Sequence, residues 1–284
     1  MDREIVLTTL ACVLCGPALV VAGALTLRLR PPGAAREHER AAWRRLWFPV
    51  VPAALILAFL IGWALQEPEA AEPADAPVLA FAAVFAFIAL RAVVRAARAF
   101  RAPAHPPVAM TTGLLRPRVV VAPELAARLD GRALDAALAH EQAHVRHRDP
   151  LRLWLAQLAT DLQWPVPGAR QRFSDWRHAL ELARDAEACE RVDGSDLAAA
   201  LIEAARLTRA PAGEVHACLV ADPDGAAAFS DRIYRLLDGA TAVEEPGPRR
   251  WASWAPVAVA ICLAVVAGAH YGERIIGLLP GLDG

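Results

Sequence analysis

The sequence contains no lysine, so arginine supplies all 30 of its basic residues, and 31 acidic residues balance them. The resulting net charge of −1 leaves no positive surplus to attract nucleic-acid phosphates. We therefore predict no direct nucleic-acid partner.

Cysteine is also scarce, and the five residues are too scattered for a disulfide framework. Cys12 and Cys15 have the spacing of a metal or redox pair, but they lie within an apolar run that offers no further ligand. We interpret them as small residues that allow helices to pack closely.

Long apolar runs are abundant instead, and 56% of the residues are hydrophobic. A helix needs about 20 apolar residues to cross a bilayer. The stretches that reach or approach this length are 5–27, 48–65, 77–94 and 251–270. The composition therefore predicts a mainly α-helical membrane protein with four transmembrane helices.

The charges between these stretches predict the orientation of the chain. The segments before the second stretch and after the third are rich in arginine, whereas the segment between them is acidic and has no basic residue. The positive-inside rule places the arginine-rich segments in the cytoplasm, and both termini are then outside. The predicted parts are a membrane region at 1–94, a cytoplasmic domain at 95–250, and a fourth membrane helix with a short outer tail at 251–284.

Within the predicted cytoplasmic domain, runs of β-forming residues around a turn indicate a small β-hairpin at 108–112 and 118–121. Helical periodicity follows it. The predicted helices are 131–148, 150–163, 169–190, 195–209 and 226–238.

One pattern in this domain has direct chemical meaning, the pentapeptide HEQAH at 140–144. Residues i and i+4 share one face of a helix, so His140 and His144 can bind a single Zn²⁺. Glu141 can then act as general base on a water molecule that the metal activates. An apolar stripe made of Leu134, Ala137, Leu138 and Val145 predicts that this face points inward. Asp149-Pro150 is expected to end the helix and to cap the next one.

A catalytic zinc site needs a third protein ligand and an open position for water. The predicted helix at 169–190 offers Glu181, Asp185 and Glu187. Glu181 and Asp185 lie on one face, which suits one ligand and one carboxylate that grips a ligand imidazole. Spacing alone does not choose among the three. His147 and His178 are disfavoured as additional ligands, because a fourth protein ligand would close the water position.

The order of these motifs resembles the M56 family of membrane zinc peptidases, the signal-transducing antirepressors that include the β-lactam sensors of resistant bacteria. HEQAH is followed by ELARD at 181–185, as the family's H-E-x-x-H is followed by a similar motif. The similarity extends to GLLRPRVVVAP at 113–123, HVRHRD at 144–149 and SDRIYRLL at 230–237. It covers about residues 113–237.

The resemblance implies that Glu181 is the third zinc ligand and that Asp185 orients a ligand histidine. It also implies a zincin-like endopeptidase domain in a multi-pass protein of the bacterial inner membrane, with its active site facing the cytosol. The implied substrate is a cytoplasmic repressor of the winged-helix type, with or without self-cleavage. Membrane lipid and this protein substrate are the expected partners, and a homodimer is compatible with them.

Two departures from the family pattern affect these expectations. Arg184 stands where the family often has cysteine, and we expect this change to affect only packing. Because 14 residues follow His270, we expect no extracellular sensor domain and no role as a β-lactam receptor.

Two alternatives stay open. A quality-control peptidase similar to the M48 family would use the same zinc chemistry, although the membrane helix after the catalytic block argues against it. A non-catalytic membrane receptor or scaffold would keep zinc for structure only and would not need Glu141. Two further assignments have weaker support from the sequence. They are Tyr234 as an oxyanion donor and 119–121 as either a substrate-pairing strand or a core strand.

Overall fold

The computed structural model describes residues 3–27, 35–65, 76–100, 108–164, 166, 168–208, 223–239 and 255–276. Most of these residues are helical, and the described part contains one two-stranded sheet. This agrees with the predicted mainly α-helical class. The segments 28–34 and 66–75, whose charges contribute to the predicted orientation, lie outside the described residues, so the orientation stays a prediction.

The N-terminal part of the chain is built from helices, most of them apolar. They are α1 (Arg3–Leu10), a π-helical turn (Ala11–Cys15), α2 (Gly16–Leu27), α3 (Ala35–Trp47), α4 (Val50–Ala64) and α5 (Ala76–Phe100). Judged by length and composition, two helices could cross a membrane, at Val6–Thr26 and Ala35–Ala64. Shorter apolar runs occur within α5, at Ala82–Val94, and near the C-terminus, at Pro256–Gly272. Two of the four predicted spans therefore have the required length, and the other two stay predictions.

The predicted hairpin forms from β1 (Met110–Thr112) and β2 (Arg118–Val120), which pair in antiparallel register with Thr111 opposite Val119. Gly113 follows β1 with a φ of 96°, and a Cβ there would lie 2.7 Å from the carbonyl oxygen of Arg116. Glycine is therefore required at the start of this turn.

The helices after the hairpin agree closely with the predicted ones. They are α7 (Gly131–His147), α8 (Asp149–Leu162), α9 (Ala169–Ala188), α10 (Gly194–Thr208) and α11 (Pro223–Leu237). A short helix that was not predicted, α6 (Pro123–Ala126), precedes them, and α12 (Ala255–Ile276) ends the described chain. The carboxylate of Asp130 accepts a hydrogen bond from the backbone N–H of Ala133 at 2.8 Å, which explains where α7 begins.

The two largest apolar clusters hold together the domain that contains α7. One joins α7, α9, α10 and α11 around Ala136, Ala188 and Leu197. The other joins α3 to α8 and α9 around Leu46, Trp176 and Leu180, all of which are fully buried. Helix α3 is thus packed into the domain, although it precedes the predicted boundary at residue 95.

Helix α4 packs against α12 more extensively than any other pair of helices in the described residues. Two glycines allow the backbones to approach: a Cβ at Gly62 would lie 2.0 Å from the carbonyl oxygen of Val265, and one at Gly268 would lie 1.9 Å from that of Phe59. Close contact through small residues is typical of helices that associate within a membrane. This pairing joins the second and fourth of the predicted spans.

We predict that Gly268→Ala destabilises the protein, because the new methyl group would force two helix backbones apart. Overpacking of this kind costs roughly 1–3 kcal/mol. Thermal unfolding of the detergent-solubilised protein should show a lower Tm. Gly16→Ala is the matched control, because a Cβ there meets no atom within 4 Å. Equal Tm values for the two variants would contradict the assigned α4–α12 contact.

Candidate metal centre

Helix α7 presents a face of alanines together with both histidines of the HEQAH pattern. The buried residues of this helix are Ala133, Ala136, Ala137, Ala139, His140, Ala143 and His144. The predicted inward stripe was partly wrong, because Leu134, Leu138 and Val145 are only half-buried. Alanine lines the inner face because α9 and α10 pack against α7 there.

The structure brings three predicted ligands together. The Nε2 atoms of His140 and His144 lie 3.1 Å apart, and Glu181 Oε2 lies 3.5 Å from the first and 3.8 Å from the second. The two imidazoles come from successive turns of α7, whereas the carboxylate comes from α9. These three residues form the group in the described part of the chain that could hold a metal ion.

The spacing of these atoms fits zinc. Tetrahedral coordination with bonds of about 2.0–2.1 Å separates neighbouring ligand atoms by about 3.3 Å. The donor set of two imidazole nitrogens and one carboxylate oxygen is also one that catalytic zinc sites use. Two ring nitrogens that face each other at 3.1 Å are suited to sharing a cation.

The carboxylate of Asp149 holds the imidazole of His144 in place. The Nδ1–H of His144 donates to Asp149 Oδ2 at 2.8 Å, which leaves the Nε2 lone pair for a metal. Arg184 in turn donates to both oxygens of this carboxylate, at 2.5 and 3.1 Å. Burial raises the pKa of Asp149, but the hydrogen bonds from His144 and Arg184 outweigh it and hold the pKa below its usual range.

This arrangement corrects two predictions. Asp149 is the first residue of α8, and no side chain caps that helix, because the Asp149 carboxylate faces His144 instead. The turn that places it there is made by Arg148, whose φ of 53° is left-handed. Arg184 does more than pack, since its buried guanidinium is the counter-ion of Asp149.

Asp185 stands in the same relation to the other histidine. Its Oδ1 lies 3.0 Å from His140 Nδ1, a charged contact whose alignment falls short of a hydrogen bond. Arg232 of α11 donates to both Asp185 oxygens at 2.7 and 2.8 Å, and it also lies 3.1 Å from Glu181 Oε2. The predicted position of Asp185 behind a ligand histidine agrees with this geometry, and its role stays a prediction.

Neighbouring charges shift the pKa values of Glu181 and His140 in opposite directions. Burial raises the pKa of Glu181, but the charges of Arg232, His144 and His140 hold it well below its usual range, so this carboxylate is ionised. Burial lowers the pKa of His140, whereas the contacts with Asp185 and Glu181 raise it to about 10. A metal must therefore displace a proton from His140 at neutral pH.

Glu141 points toward the β-hairpin. The hydroxyl of Thr111 lies 2.7 Å from Glu141 Oε2 and 3.0 Å from the Glu141 carbonyl oxygen, and its single proton can be donated to either. Strand β1 thereby holds the predicted general base next to the two ligand histidines. Sequence reasoning did not assign Thr111 to the site.

A cavity of about 140 Å³ opens beside these residues. His140, Glu141, His144 and Glu181 line one side of it, and the apolar residues Leu125, Leu197, Leu201 and Ala204 line another. The stretch 108–111, which includes part of β1, completes the wall. Residues 119–121, one of whose two predicted roles was to pair with a substrate, do not line this cavity.

His147 and His178 are not part of the three-residue ligand group and contact acidic residues instead. His147 Nε2 lies 2.7 Å from Glu187, and His178 Nε2 lies 3.1 Å from Asp231. Tyr234 is exposed and is not among the residues that line the cavity, so its position gives no support to an oxyanion role.

Besides Thr111, three supporting residues were missed as members of the site: Asp149, Arg184 and Arg232. A sequence signal existed for Arg184, because it lies three residues after Glu181 and so shares its helix face. Arg232 lies within the stretch that carries the family resemblance, but nothing in its local spacing points to Asp185, 47 residues away.

Comparison with known proteins relates one segment of the chain to a protein family. Residues 102–222 match the model of the family described as BlaR1 peptidase M56. Comparison with curated proteins produced no match, and comparison with solved structures produced none either. This match supports membership of the M56 peptidase family, and the matched segment contains the HEQAH pattern, Glu181 and Asp185.

We predict that Asp149→Asn lowers the affinity for zinc by about 10–100-fold, the usual effect of removing a partner of a ligand histidine. Competition with a chelator of known affinity measures it. Asp135→Asn is the matched control, since Asp135 is an exposed residue of α7, the helix that carries His144. Circular dichroism verifies that both variants are folded, and a folded Asp149→Asn protein with unchanged zinc affinity would refute this support of His144.

We also predict that zinc binding releases a proton. Because the raised pKa keeps His140 protonated below about pH 10, zinc competes with that proton. The apparent affinity should therefore rise with pH, by up to about tenfold for each unit between pH 6 and 8. Titration calorimetry in buffers of different ionisation enthalpy counts the released protons. A pH-independent affinity would show that His140 is neutral before zinc binds.

Proposed function

We propose that this protein is an integral-membrane zinc endopeptidase whose ligands are His140, His144 and Glu181 and whose general base is Glu141. One observation carries the proposal. The three ligand atoms converge at distances that suit zinc, beside Glu141 and at the wall of a partly apolar cavity. The M56 match supports the same activity.

The chain's own residues would divide the work of peptide hydrolysis. Zinc, when bound, would supply Lewis acidity for the scissile carbonyl and lower the pKa of water. Glu141 would accept the proton of the attacking water and deliver it to the departing amine. The Thr111 hydroxyl would restrain one Glu141 oxygen and leave the other free to move the proton. Asp149 and Asp185 would keep the two imidazoles oriented.

The shape of the site favours an extended substrate. A cavity of about 140 Å³ has room for a side chain but not for a folded segment. Strand β1 forms part of the wall, and in the described residues it pairs only with β2. An extended peptide could therefore add to the free side of β1 and place an apolar side chain against Leu197 and Leu201.

For the biological role we propose a signal-transducing antirepressor that cleaves a cytoplasmic repressor of the winged-helix type, with self-cleavage as a further reaction. The support comes from the family match and from the apolar helices at Val6–Thr26 and Ala35–Ala64. A four-span topology in a bacterial inner membrane, with both termini outside, would expose the zinc domain to that substrate. Membrane lipid is the expected surrounding partner, and a homodimer is compatible with this role.

We predict that Glu141→Gln lowers the rate of peptide cleavage by about 10²–10⁴-fold, the usual contribution of a general base. Zinc binding should persist, because Glu141 is not one of the ligands. The measurement pairs zinc content with cleavage of a candidate repressor and of the protein itself, in detergent-purified wild type and variant.

The outcomes of that experiment separate the alternatives. Cleavage by wild type only supports the peptidase, and preference for misfolded proteins over a repressor would favour the quality-control role. Zinc in both proteins with cleavage in neither would favour the non-catalytic scaffold. Absence of zinc from wild type would contradict the proposed ligand set.

A further inference from the structure

Helix α3 reaches the candidate metal centre through a continuous series of polar contacts. Glu39 of α3 is buried, and its Oε1 accepts hydrogen bonds from Arg152 and from Trp176 Nε1, the latter at 3.2 Å. Arg152 Nη1 donates to Asp149 Oδ1 at 3.1 Å. Asp149 Oδ2 in turn accepts from His144. Three side chains, those of Glu39, Arg152 and Asp149, thus connect α3 to the proposed zinc ligand His144.

The middle of this series is held in place from both sides. The Arg152 guanidinium carbon lies 5.1 Å from the ring centroid of Trp43 and 5.7 Å from that of Trp176. These cation–π contacts come from two helices, α3 and α9, and they restrict where the guanidinium can point. Arg152 can therefore bridge two carboxylates with different nitrogens, Nη2 toward Glu39 and Nη1 toward Asp149.

Helix α3 also continues into α4, and together they form a helix long enough to cross a membrane. The backbone N–H of Phe48 donates to Arg44 at 2.8 Å, and Pro49 keeps helical angles before α4 begins. The stretch Ala35–Ala64 consequently behaves as one helix of 30 residues. A displacement of this helix along or about its axis would move Glu39 relative to Arg152.

We propose that Glu39 is a positioning residue of the metal centre, which acts on His144 through Arg152 and Asp149. The inference rests on the proposed zinc function. When Glu39 holds Nη2, Arg152 offers only Nη1 to Asp149, and the other Asp149 oxygen stays on His144. Loss of the Glu39 charge frees the guanidinium to turn toward Asp149, which weakens the hold of that carboxylate on the imidazole. The apolar helix Ala35–Ala64 thereby becomes part of the support of the zinc site.

The test compares zinc affinity in full-length, detergent-solubilised Glu39→Gln, Glu37→Gln and wild type. Glu37 is an exposed residue of the same helix, so its variant makes the same charge change away from Arg152. We expect zinc affinity to fall by about threefold to tenfold for Glu39→Gln, less than for loss of a direct partner of a ligand. Glu37→Gln should match wild type.

A second readout separates positioning from simple packing. The visible spectrum of the cobalt-substituted protein reports the ligand geometry, and it should change in Glu39→Gln and not in Glu37→Gln. If Glu39 only packs α3 against α8, its variant lowers the Tm but leaves the spectrum and the zinc affinity unchanged, which would overturn the inference.

A further variant guards against a failure to fold. Glu39→Gln combined with Arg152→Met removes the two paired charges together, so that neither is left without the other. This protein should also bind zinc more weakly than wild type, and unchanged affinity in it would overturn the inference. If wild type itself binds no zinc, the proposed function fails first; if wild type binds zinc and all Glu39 variants equal it, only the role of Glu39 fails.

Discussion

Two fully buried carboxylates, Asp149 and Asp185, set the requirements that the surrounding structure meets. A buried charge costs several kcal/mol unless a partner of opposite charge and good hydrogen bonds compensate it. Each carboxylate is therefore paired with a buried arginine, Arg184 or Arg232, through two hydrogen bonds. On the other side of each carboxylate stands a histidine of α7. The site is thus built from two parallel series of arginine, aspartate and histidine.

This requirement explains why five helices meet at one place. Helix α7 supplies the histidines, α8 begins with Asp149, and α9 supplies Arg184, Asp185 and Glu181. Helix α11 contributes Arg232, and α3 reaches the same network through Glu39. The left-handed backbone of Arg148 separates α7 from α8 and turns the chain sharply enough for Asp149 to face His144, five residues earlier. Local backbone geometry and long-range charge pairing therefore determine the site jointly.

The helices, the hairpin and the three converging residues were predictable from the sequence because their signals are local. The i and i+4 spacing of His140 and His144 places both on one face. Glu181 was predicted because the ELARD segment resembles a motif of the M56 family. The charge pairings were not predictable, since Arg184 and Asp149 are 35 residues apart and meet only when α8 packs beside α9. The role of α3 was not predictable for the same reason, because its partners are distant in the sequence. Its charged residues suggest a loop, although Leu46 and Glu39 are buried.

X-ray absorption at the zinc edge of the purified full-length protein would test the central claim most directly. The account predicts one zinc bound by two imidazole nitrogens at about 2.0–2.1 Å and carboxylate or water oxygens at about 2.0–2.2 Å, with no sulfur. His144→Ala should lose one imidazole contribution, and Glu181→Ala should keep both. A zinc–sulfur distance of about 2.3 Å, or a spectrum that His144→Ala leaves unchanged, would contradict the site.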